Sequence, residues 1–245
     1  GKTPIAHYIA DIAGRIGLSA GYMGTIGWGV PGALADARLT TEDAVTVQRQ
    51  LHQLVEAGHT WVAMEVSSHA LTQGRVADVA FDLAVFSNLS RDHLDYHTTQ
   101  EAYGRAKAEL FAYPSLSVAV VNMDDPFGQR IASELRPDIR LIGYGRGADI
   151  SWQNLTYTDY GVRGRWRTPW GDAELKLPVA GEFSVANMAA AVGALCGSGL
   201  AFEAVIDAAA GVAAVPGRME FFHAKGQPTV VVDFAHTPDA LDKML

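Results

Sequence analysis

The chain has 245 residues, of which 49% are hydrophobic and 19% are charged, and its formal net charge is −8. That length can bury a hydrophobic core in one or two domains, and the acidic balance argues against broad binding to nucleic acid or to anionic membranes. The single cysteine, Cys196, excludes an internal disulfide and is typical of a reducing compartment, so we expect a cytoplasmic protein. We expect neither a membrane span nor a signal peptide, because no apolar run has the required length.

The first predicted element is an amphipathic helix. Isoleucines recur in it at helical spacing, at positions Ile5, Ile9, Ile12 and Ile16. Directly before it stand Gly1, Lys2 and Thr3. Such a triplet running into a helix is the second half of a phosphate-binding loop, in which backbone N–H groups hold phosphate oxygens, the lysine reaches the terminal phosphates and the hydroxyl ligates Mg²⁺. An ordinary helix start is the alternative, because three residues also recur by chance.

Beyond this helix the pattern alternates between short apolar strands and helices. The predicted strands are at residues 20–26, 61–64, 81–86 and 118–121. The predicted helices are at residues 44–54 and 101–112. The glycine-rich stretch from 24 to 32 is predicted to be an irregular loop. This alternation predicts a doubly wound, mostly parallel sheet of the P-loop type, in which ligands collect at the carboxyl ends of the strands.

The character of the sequence changes between residues 139 and 177, where segments rich in Trp, Tyr and Thr predict a small antiparallel β subregion. Helices are predicted at 186–195 and 202–210, followed by a hinge at Pro216 and Gly217. A buried strand at 229–234 and a helix that starts at Pro238 would open a second, Rossmann-like α/β domain. We therefore expect one domain at 1–216 and the beginning of another at 217–245. Since the sequence opens inside a motif and ends inside an apparent helix, we expect an internal piece of a longer protein.

Several polar residues follow predicted buried strands. Glu65 is a candidate Mg²⁺ ligand facing the loop threonine, with a helix-capping or salt-bridged glutamate as the alternative. His93 lies in a run of five ionisable residues within seven positions, which favours a site over a structural histidine. The residues alone give Lys107 the character of a solvated surface lysine. By the same reasoning Asn187 could cap a helix, and Asp233 with His236 could be a polar cluster at a helix start.

Considered together, five motifs resemble those of the Mur ligases. They are GKT at 1–3, MEVSSH at 64–69, NLSRDHLDYH at 88–97, GRME at 217–220 and VDFAHTPDAL at 232–241. The resemblance covers the family's central ATP-binding domain and the start of its carboxyl-terminal domain, which correspond to 1–216 and 217–245. Three positions depart from the family pattern, and these are Leu39, Ser184 and Pro4.

The resemblance implies ATP and Mg²⁺ as cofactors and assigns roles to individual residues. The implied metal ligands are Thr3, Glu65, His93 and Lys107, the last as a carbamate, since an ammonium group would repel Mg²⁺. The implied ATP contacts are Gly1, Lys2, Thr3, Asn187, Arg218, Asp233 and His236. The residues implied to hold the UDP-muramoyl dipeptide are Thr40, Thr41, Ser67, Gln73 and Arg75. The implied catalytic residues are Lys2, Lys107 and Arg218, with Arg218 arriving when the domains close.

The reaction implied by the resemblance is ATP-dependent amide-bond formation in peptidoglycan synthesis, and hence in cell-wall biogenesis, cell shape and cell division. The substrate carboxylate of UDP-MurNAc-L-Ala-D-Glu would be phosphorylated and then attacked by the amine of the third stem-peptide residue. We expect meso-diaminopimelate rather than L-lysine. The alternatives are a sister ligase of the Mur or folylpolyglutamate-synthetase type, a P-loop NTPase that drives a conformational switch, and a non-catalytic nucleotide-binding scaffold. We expect the piece by itself to be inactive.

Overall fold

The computed structural model describes residues 1–89, 94–158, 161–179, 181–222, 226–235 and 241. The helices are α1 (Lys2–Arg15), α2 (Ala44–Glu56), α3 (Ser68–Thr72), α4 (Leu94–His97), α5 (Gln100–Ala108), α6 (Pro126–Glu134), α7 (Glu182–Gly197) and α8 (Phe202–Ala209). A 3₁₀ helix, Glu109–Ala112, continues α5. The strands are β1 (Ala20–Gly24), β2 (Gly27–Val30), β3 (Ala33–Ala35), β4 (Trp61–Met64), β5 (Leu83–Phe86), β6 (Val118–Asn122), β7 (Arg140–Tyr144), β8 (Ser151–Thr158), β9 (Gly161–Thr168), β10 (Gly171–Leu177), β11 (Glu220–Phe222) and β12 (Val230–Val232).

Parallel strand pairs form the centre of the domain. β1 pairs in parallel with β4, and β5, β6 and β7 form a second parallel sheet in that order. Helices cover both faces of this second sheet: α7 contacts all of its strands, and α6 contacts β6. Successive side chains of β6 point to opposite faces of this sheet and are apolar on both. Val118 and Val120 belong to the core under α1 and α7, whereas Ala119 and Val121 belong to the core around α6. The predicted doubly wound α/β fold is confirmed.

The helix α7 owes its central position to its composition. Small and apolar side chains occupy every side of it, and the residues from 187 to 196 are all buried. Such a helix can approach its neighbours closely on all sides. It contacts α1, α8 and the strands β5, β6 and β7, and thereby ties the first helix of the chain to the parallel sheet. None of the described helices is long and apolar enough to cross a membrane.

The glycine-rich stretch after β1 is not the irregular loop that we predicted. It contains β2, which pairs antiparallel with β1 and with the following strand β3 and gives the sheet the order β3-β2-β1-β4. Gly27 makes this pairing possible, because its φ is +135° and a Cβ there would lie 2.5 Å from the Ala35 carbonyl oxygen. Glycines that would break a helix therefore allow a close antiparallel approach here.

Two further predictions about strands need correction. The antiparallel subregion begins at β8 rather than near residue 139, because β7 pairs in parallel with β6, and the order of the antiparallel sheet is β10-β9-β8. The strand predicted at 229–234 is β12, but its residues are exposed rather than buried. In the described part of the chain β12 pairs with β11 alone. The helix predicted from Pro238 lies outside the described residues.

Candidate functional site

The start of α1 is anchored on α7. Gly1 is the N-cap residue of α1 and makes no side-chain capping bond. The N–H groups of the first helical turn point out of this end of α1, which is where a phosphate-binding loop holds its phosphate. The Gly1 amino group donates a hydrogen bond of 2.7 Å to Oδ1 of the buried Asn187. Asn187 therefore holds the helix start at a fixed position.

Glu65 lies at the carboxyl end of β4 and is 2% exposed. Its Oε2 accepts a hydrogen bond of 2.9 Å from Thr3 Oγ1, so two predicted Mg²⁺ ligands are in direct contact. Its Oε1 accepts hydrogen bonds from the Tyr22 hydroxyl at 2.5 Å and from the Thr25 backbone N–H at 2.8 Å. Burial, with the Glu65 carboxylate next in effect, raises the pKa of Tyr22, which keeps this hydroxyl a donor. The structure thus places a buried carboxylate beside the first turn of α1.

Four of the five predicted dipeptide-binding residues form one hydrogen-bonded group beside Glu65, and the fifth, Thr40, is linked to Glu65 through Thr25. Thr41 is at its centre: its Oγ1 donates to the Glu65 carbonyl at 2.8 Å and accepts from the Ser67 N–H at 3.0 Å. The Arg75 guanidinium donates to the Thr41 carbonyl at 2.8 Å. The remaining links are from Arg75 Nε to Gln73 Oε1 at 2.8 Å and between the hydroxyls of Thr40 and Thr25 at 3.0 Å. The sequence prediction did not include Thr25, which bonds both to the Glu65 carboxylate and to Thr40.

A series of contacts through the rings of His97 and Tyr103 connects Ser68 to Lys107. His97 is buried, and its Nε2 lies 2.9 Å from Ser68 Oγ in α3. The His97 ring stacks on Tyr103 of α5 with 5.2 Å between ring centroids. The Lys107 Nζ lies 4.8 Å from the centroid of the Tyr103 ring, a cation–π distance. The predicted metal-ligating lysine therefore lies on a helix that is attached to α3, the helix that follows Glu65.

Residues from the far end of the sequence lie beside the first turn of α1. The Arg218 guanidinium lies 3.5 Å from Thr3 Oγ1 and 4.7 Å from the centroid of the Phe234 ring. Asp233 accepts hydrogen bonds from the N–H groups of Met219 at 2.8 Å and Ala235 at 2.7 Å. These bonds tie the turn before β11 to the end of β12. Arg218, which we expected at this position only after domain closure, is already beside Thr3.

Two predicted site residues, His93 and His236, lie outside the described residues. Within the described ranges, no group of three or more His, Cys, Asp or Glu side chains could hold a metal ion. The donors present fit Mg²⁺ nonetheless, because this ion prefers oxygen ligands and completes its coordination with water and substrate phosphates. Here those oxygens are the Glu65 carboxylate and the Thr3 hydroxyl, 2.9 Å apart.

Space for a ligand adjoins these groups. A cleft of about 550 Å³ lies between β4 and β5, and Lys2, Glu65 and Ser87 all line it. Within the described ranges β4 and β5 are each the outer strand of their sheet, so the cleft lies between the mixed sheet that ends in β4 and the parallel sheet that begins with β5. The cleft thus reaches the carboxyl ends of both strands, where α/β sheets bind ligands.

The fold and the helix start beside Glu65 define the class, a P-loop-type α/β domain. A family model described as the Mur ligase middle domain matches residues 1–195. The chain belongs to the Mur ligase family, as the motifs predicted.

Curated relatives match the entire chain. It is 46% identical to the UDP-N-acetylmuramoyl-L-alanyl-D-glutamate--2,6-diaminopimelate ligase of Ectopseudomonas mendocina, and 45% identical to the protein of that name from Pseudomonas aeruginosa. Each match covers 100% of this chain and 51% of the relative, so the chain spans about half the length of these proteins.

Solved structures agree with this placement. A structure with the same protein name has a TM-score of 0.87 at 36% identity and covers 99% of this chain and 50% of its own. MurF from Acinetobacter baumannii shares the fold, with a TM-score of 0.80 at 20% identity, 99% coverage of this chain and 51% of its own. At that level of identity the likeness shows the fold alone.

Proposed function

We propose that the full-length protein containing this chain is an ATP-dependent ligase that joins the D-Glu side-chain carboxylate of UDP-MurNAc-L-Ala-D-Glu to an amine of meso-diaminopimelate. The observation that carries the proposal is the shared position of Glu65. Its carboxylate contacts Thr3 at the start of α1, and its backbone carbonyl accepts a hydrogen bond from Thr41. The side that we propose for phosphate and the side that we propose for the substrate would therefore meet at one residue, as transfer of a phosphoryl group to a bound carboxylate requires.

The first turn of α1 is where the ATP phosphates would bind. Backbone N–H groups at a helix N-terminus favour phosphate oxygens, and Lys2 would pair with the terminal phosphates. Mg²⁺, when bound, neutralises charge on the transferring phosphoryl group, and Thr3 and Glu65 would hold it. Arg218 would add positive charge beside Thr3, from which it is separated by 3.5 Å. The family resemblance adds Asn187, Asp233 and His236 as further ATP contacts.

The group around Thr41 would hold the dipeptide precursor. Arg75 suits a carboxylate or phosphate of that substrate because its planar guanidinium can donate two parallel hydrogen bonds. Thr40, Ser67 and Gln73 offer hydroxyl and amide groups that could orient it. A carboxylate has no good leaving group, and phosphorylation provides one. The amine can then attack the acyl-phosphate, which forms the amide bond and releases phosphate.

We propose that Lys107 acts as a carbamate. A lysine ammonium beside a cation site is repulsive, whereas a carbamate presents oxygens of the kind that Mg²⁺ prefers. The resemblance also assigns His93 to the metal. We further propose that residues 1–216 and 217–245 belong to separate domains, so that Arg218 and Asp233 reach the nucleotide from the second domain. We place the reaction in the cytoplasm, where ATP is available and where the lone buried Cys196 remains reduced.

Phosphate release by the full-length protein tests this function. The protein is given ATP, Mg²⁺ and UDP-MurNAc-L-Ala-D-Glu, with meso-diaminopimelate and L-lysine in separate reactions. We expect release that needs the precursor and occurs with meso-diaminopimelate only. Phosphate release without the precursor would indicate an NTPase instead of a ligase. ATP binding without turnover under any condition would indicate a non-catalytic nucleotide-binding scaffold.

A further inference from the structure

The two oxygens of the Glu65 carboxylate have different kinds of donor. Oε1 accepts from the Tyr22 hydroxyl at 2.5 Å and from the Thr25 backbone N–H at 2.8 Å. Oε2 accepts from two threonine hydroxyls, Thr3 Oγ1 at 2.9 Å and Thr25 Oγ1 at 3.3 Å. All of these donors are neutral groups. The carboxylate is therefore held by several bonds that differ in strength and in freedom of movement.

The donors on Oε1 are fixed in place. Tyr22 is fully buried and lies in a core with Ala6, Ala10 and Ala63, so its ring has no room to turn away. A backbone N–H such as that of Thr25 cannot reorient without moving the chain. The Tyr22 bond also has the length of a charge-assisted O–H···O⁻ bond, which is about twice as strong as a neutral one.

The donors on Oε2 are free to adjust. A threonine hydroxyl rotates about its Cβ–Oγ bond, and it can donate to a carboxylate while its lone pairs face a cation. Thr3 Oγ1 is such a group, and it lies at the start of α1. Of the two carboxylate oxygens, only Oε2 therefore faces groups that can share it with a ligand.

We propose that Tyr22 is a positioning residue: its hydroxyl holds Oε1 toward β1 and leaves Oε2, beside Thr3, as the oxygen that takes the divalent cation. This inference rests on the proposed function, because it concerns the Mg²⁺ site of that ligase. Tyr22 touches neither substrate nor nucleotide in this scheme, and it acts through Glu65 alone. The sequence prediction did not include Tyr22, since a tyrosine within a buried strand has the pattern of a core residue.

Gly24 gives independent support for this arrangement. A Cβ at that position would collide with both Glu65 Oε1 and the Tyr22 hydroxyl oxygen. Its φ is not in the left-handed region, so the need for glycine here comes from space and not from backbone conformation. Replacing Gly24 by alanine would therefore separate the two groups while leaving both side chains in the protein.

The test compares two tyrosines in the full-length protein. Tyr22→Phe removes only the hydroxyl that holds Oε1. Tyr144→Phe is the matched control, because Tyr144 is 2% exposed and its hydroxyl donates to the Phe86 carbonyl at 3.1 Å. The affinity for Mn²⁺, used as a paramagnetic probe in the presence of ADP, is measured by electron paramagnetic resonance, alongside the thermal unfolding midpoint.

We expect Tyr22→Phe to bind Mn²⁺ about tenfold more weakly, the usual effect of removing a partner that orients a metal ligand. Tyr144→Phe should lower the unfolding midpoint to a similar degree and keep the Mn²⁺ affinity of the wild type. Gly24→Ala should also weaken Mn²⁺ binding, but its Cβ would displace the Glu65 carboxylate directly, so the comparison of Tyr22→Phe with Tyr144→Phe decides the role of Tyr22.

Unchanged Mn²⁺ affinity in Tyr22→Phe, equal weakening in both phenylalanine variants, or no Mn²⁺ binding by the wild type would overturn the inference. The measurement needs neither the dipeptide nor the amino acid. If the phosphate-release assay fails while the Mn²⁺ affinities differ as expected, the proposed ligase reaction is wrong and the role of Tyr22 stands.

Discussion

Lys107 has an ordinary local sequence, yet its surroundings in the structure are specific. Its Nζ lies 4.8 Å from the Tyr103 ring, and that ring stacks on His97. His97 in turn lies 2.9 Å from Ser68 Oγ, three residues after Glu65. These contacts hold the α5 end that carries Lys107 against α3, which is what a side chain with a role at the site requires.

Replacing Lys107 by alanine should therefore abolish amide formation by the full-length protein. Added acetate or another short carboxylic acid should restore part of the activity, because it supplies the carboxylate-like oxygens that the carbamate would provide. Product formation is followed with and without the acid.

Lys176→Ala is the control for removing a lysine charge. Lys176 is exposed and pairs with Glu174 at 2.7 Å, an ion pair that the surrounding solvent screens. We expect this variant to keep full activity. A fully active Lys107→Ala enzyme would contradict the carbamate role.

Among the secondary-structure elements, α6 approaches the sheet closely at one residue. A Cβ on Gly128 would collide with the backbone carbonyl oxygen of Asn122 at the end of β6. The N-cap of the same helix, Asp125, also accepts a hydrogen bond of 2.7 Å from the Leu89 N–H, next to the 90–93 segment that contains His93. The N-terminus of α6 therefore helps to fix the position of Leu89, which follows β5.

Gly128→Ala should destabilise the protein by about 1–3 kcal/mol, the usual cost of overpacking, because a backbone oxygen cannot move aside as a side-chain tip can. Gly14→Ala in α1 is the matched substitution, since a Cβ there would meet nothing within 4 Å. Alanine is the better helix former by about 1 kcal/mol, so this variant should be slightly stabilised. Thermal unfolding of both variants checks the pair, and a shift of the same sign in both would contradict the packing argument.

Across the whole molecule, residues that are far apart in the sequence meet at the candidate site. Arg218 Nη2 and Thr3 Oγ1 are 3.5 Å apart although 215 positions separate them in the chain. The turn that carries Arg218 is fixed by the bond from the Met219 N–H to Asp233, and Met219 has a φ of +46°, which is uncommon outside glycine. This geometry directs a guanidinium toward the start of α1.

Arg218→Ala should reduce precursor-dependent phosphate release by about a thousandfold, as loss of an arginine that stabilises a transferring phosphoryl group does in other enzymes. The affinity for ADP should change much less, because the expected loss is in the transition state. Arg165→Ala, which removes an exposed arginine paired with Asp172, should leave both quantities unchanged. Phosphate release and equilibrium ADP binding are measured on the same preparations, and an Arg218→Ala enzyme with wild-type turnover would exclude the role.

Most elements could be predicted because their signals are local. The strand at 61–64 and the helix that starts at Ala44 agree with the structure, since hydrophobic period and capping residues act over a few positions. The prediction was wrong for β2, whose glycines Gly27 and Gly29 serve an antiparallel pairing that no local pattern reveals. It was also wrong about the burial of β12, because burial depends on what covers a strand and not on its composition.

By itself the sequence determined the alternation of strands and helices, the family and the candidate residues Thr3, Glu65 and Lys107, because periodicity and motif letters are properties of short stretches. The tertiary structure decided which of these groups touch. It placed Tyr22 on Glu65 across 43 positions and Arg218 on Thr3 across 215. Such contacts arise only when packed helices and sheets bring distant residues within hydrogen-bond reach, and no local pattern specifies a distance of that kind.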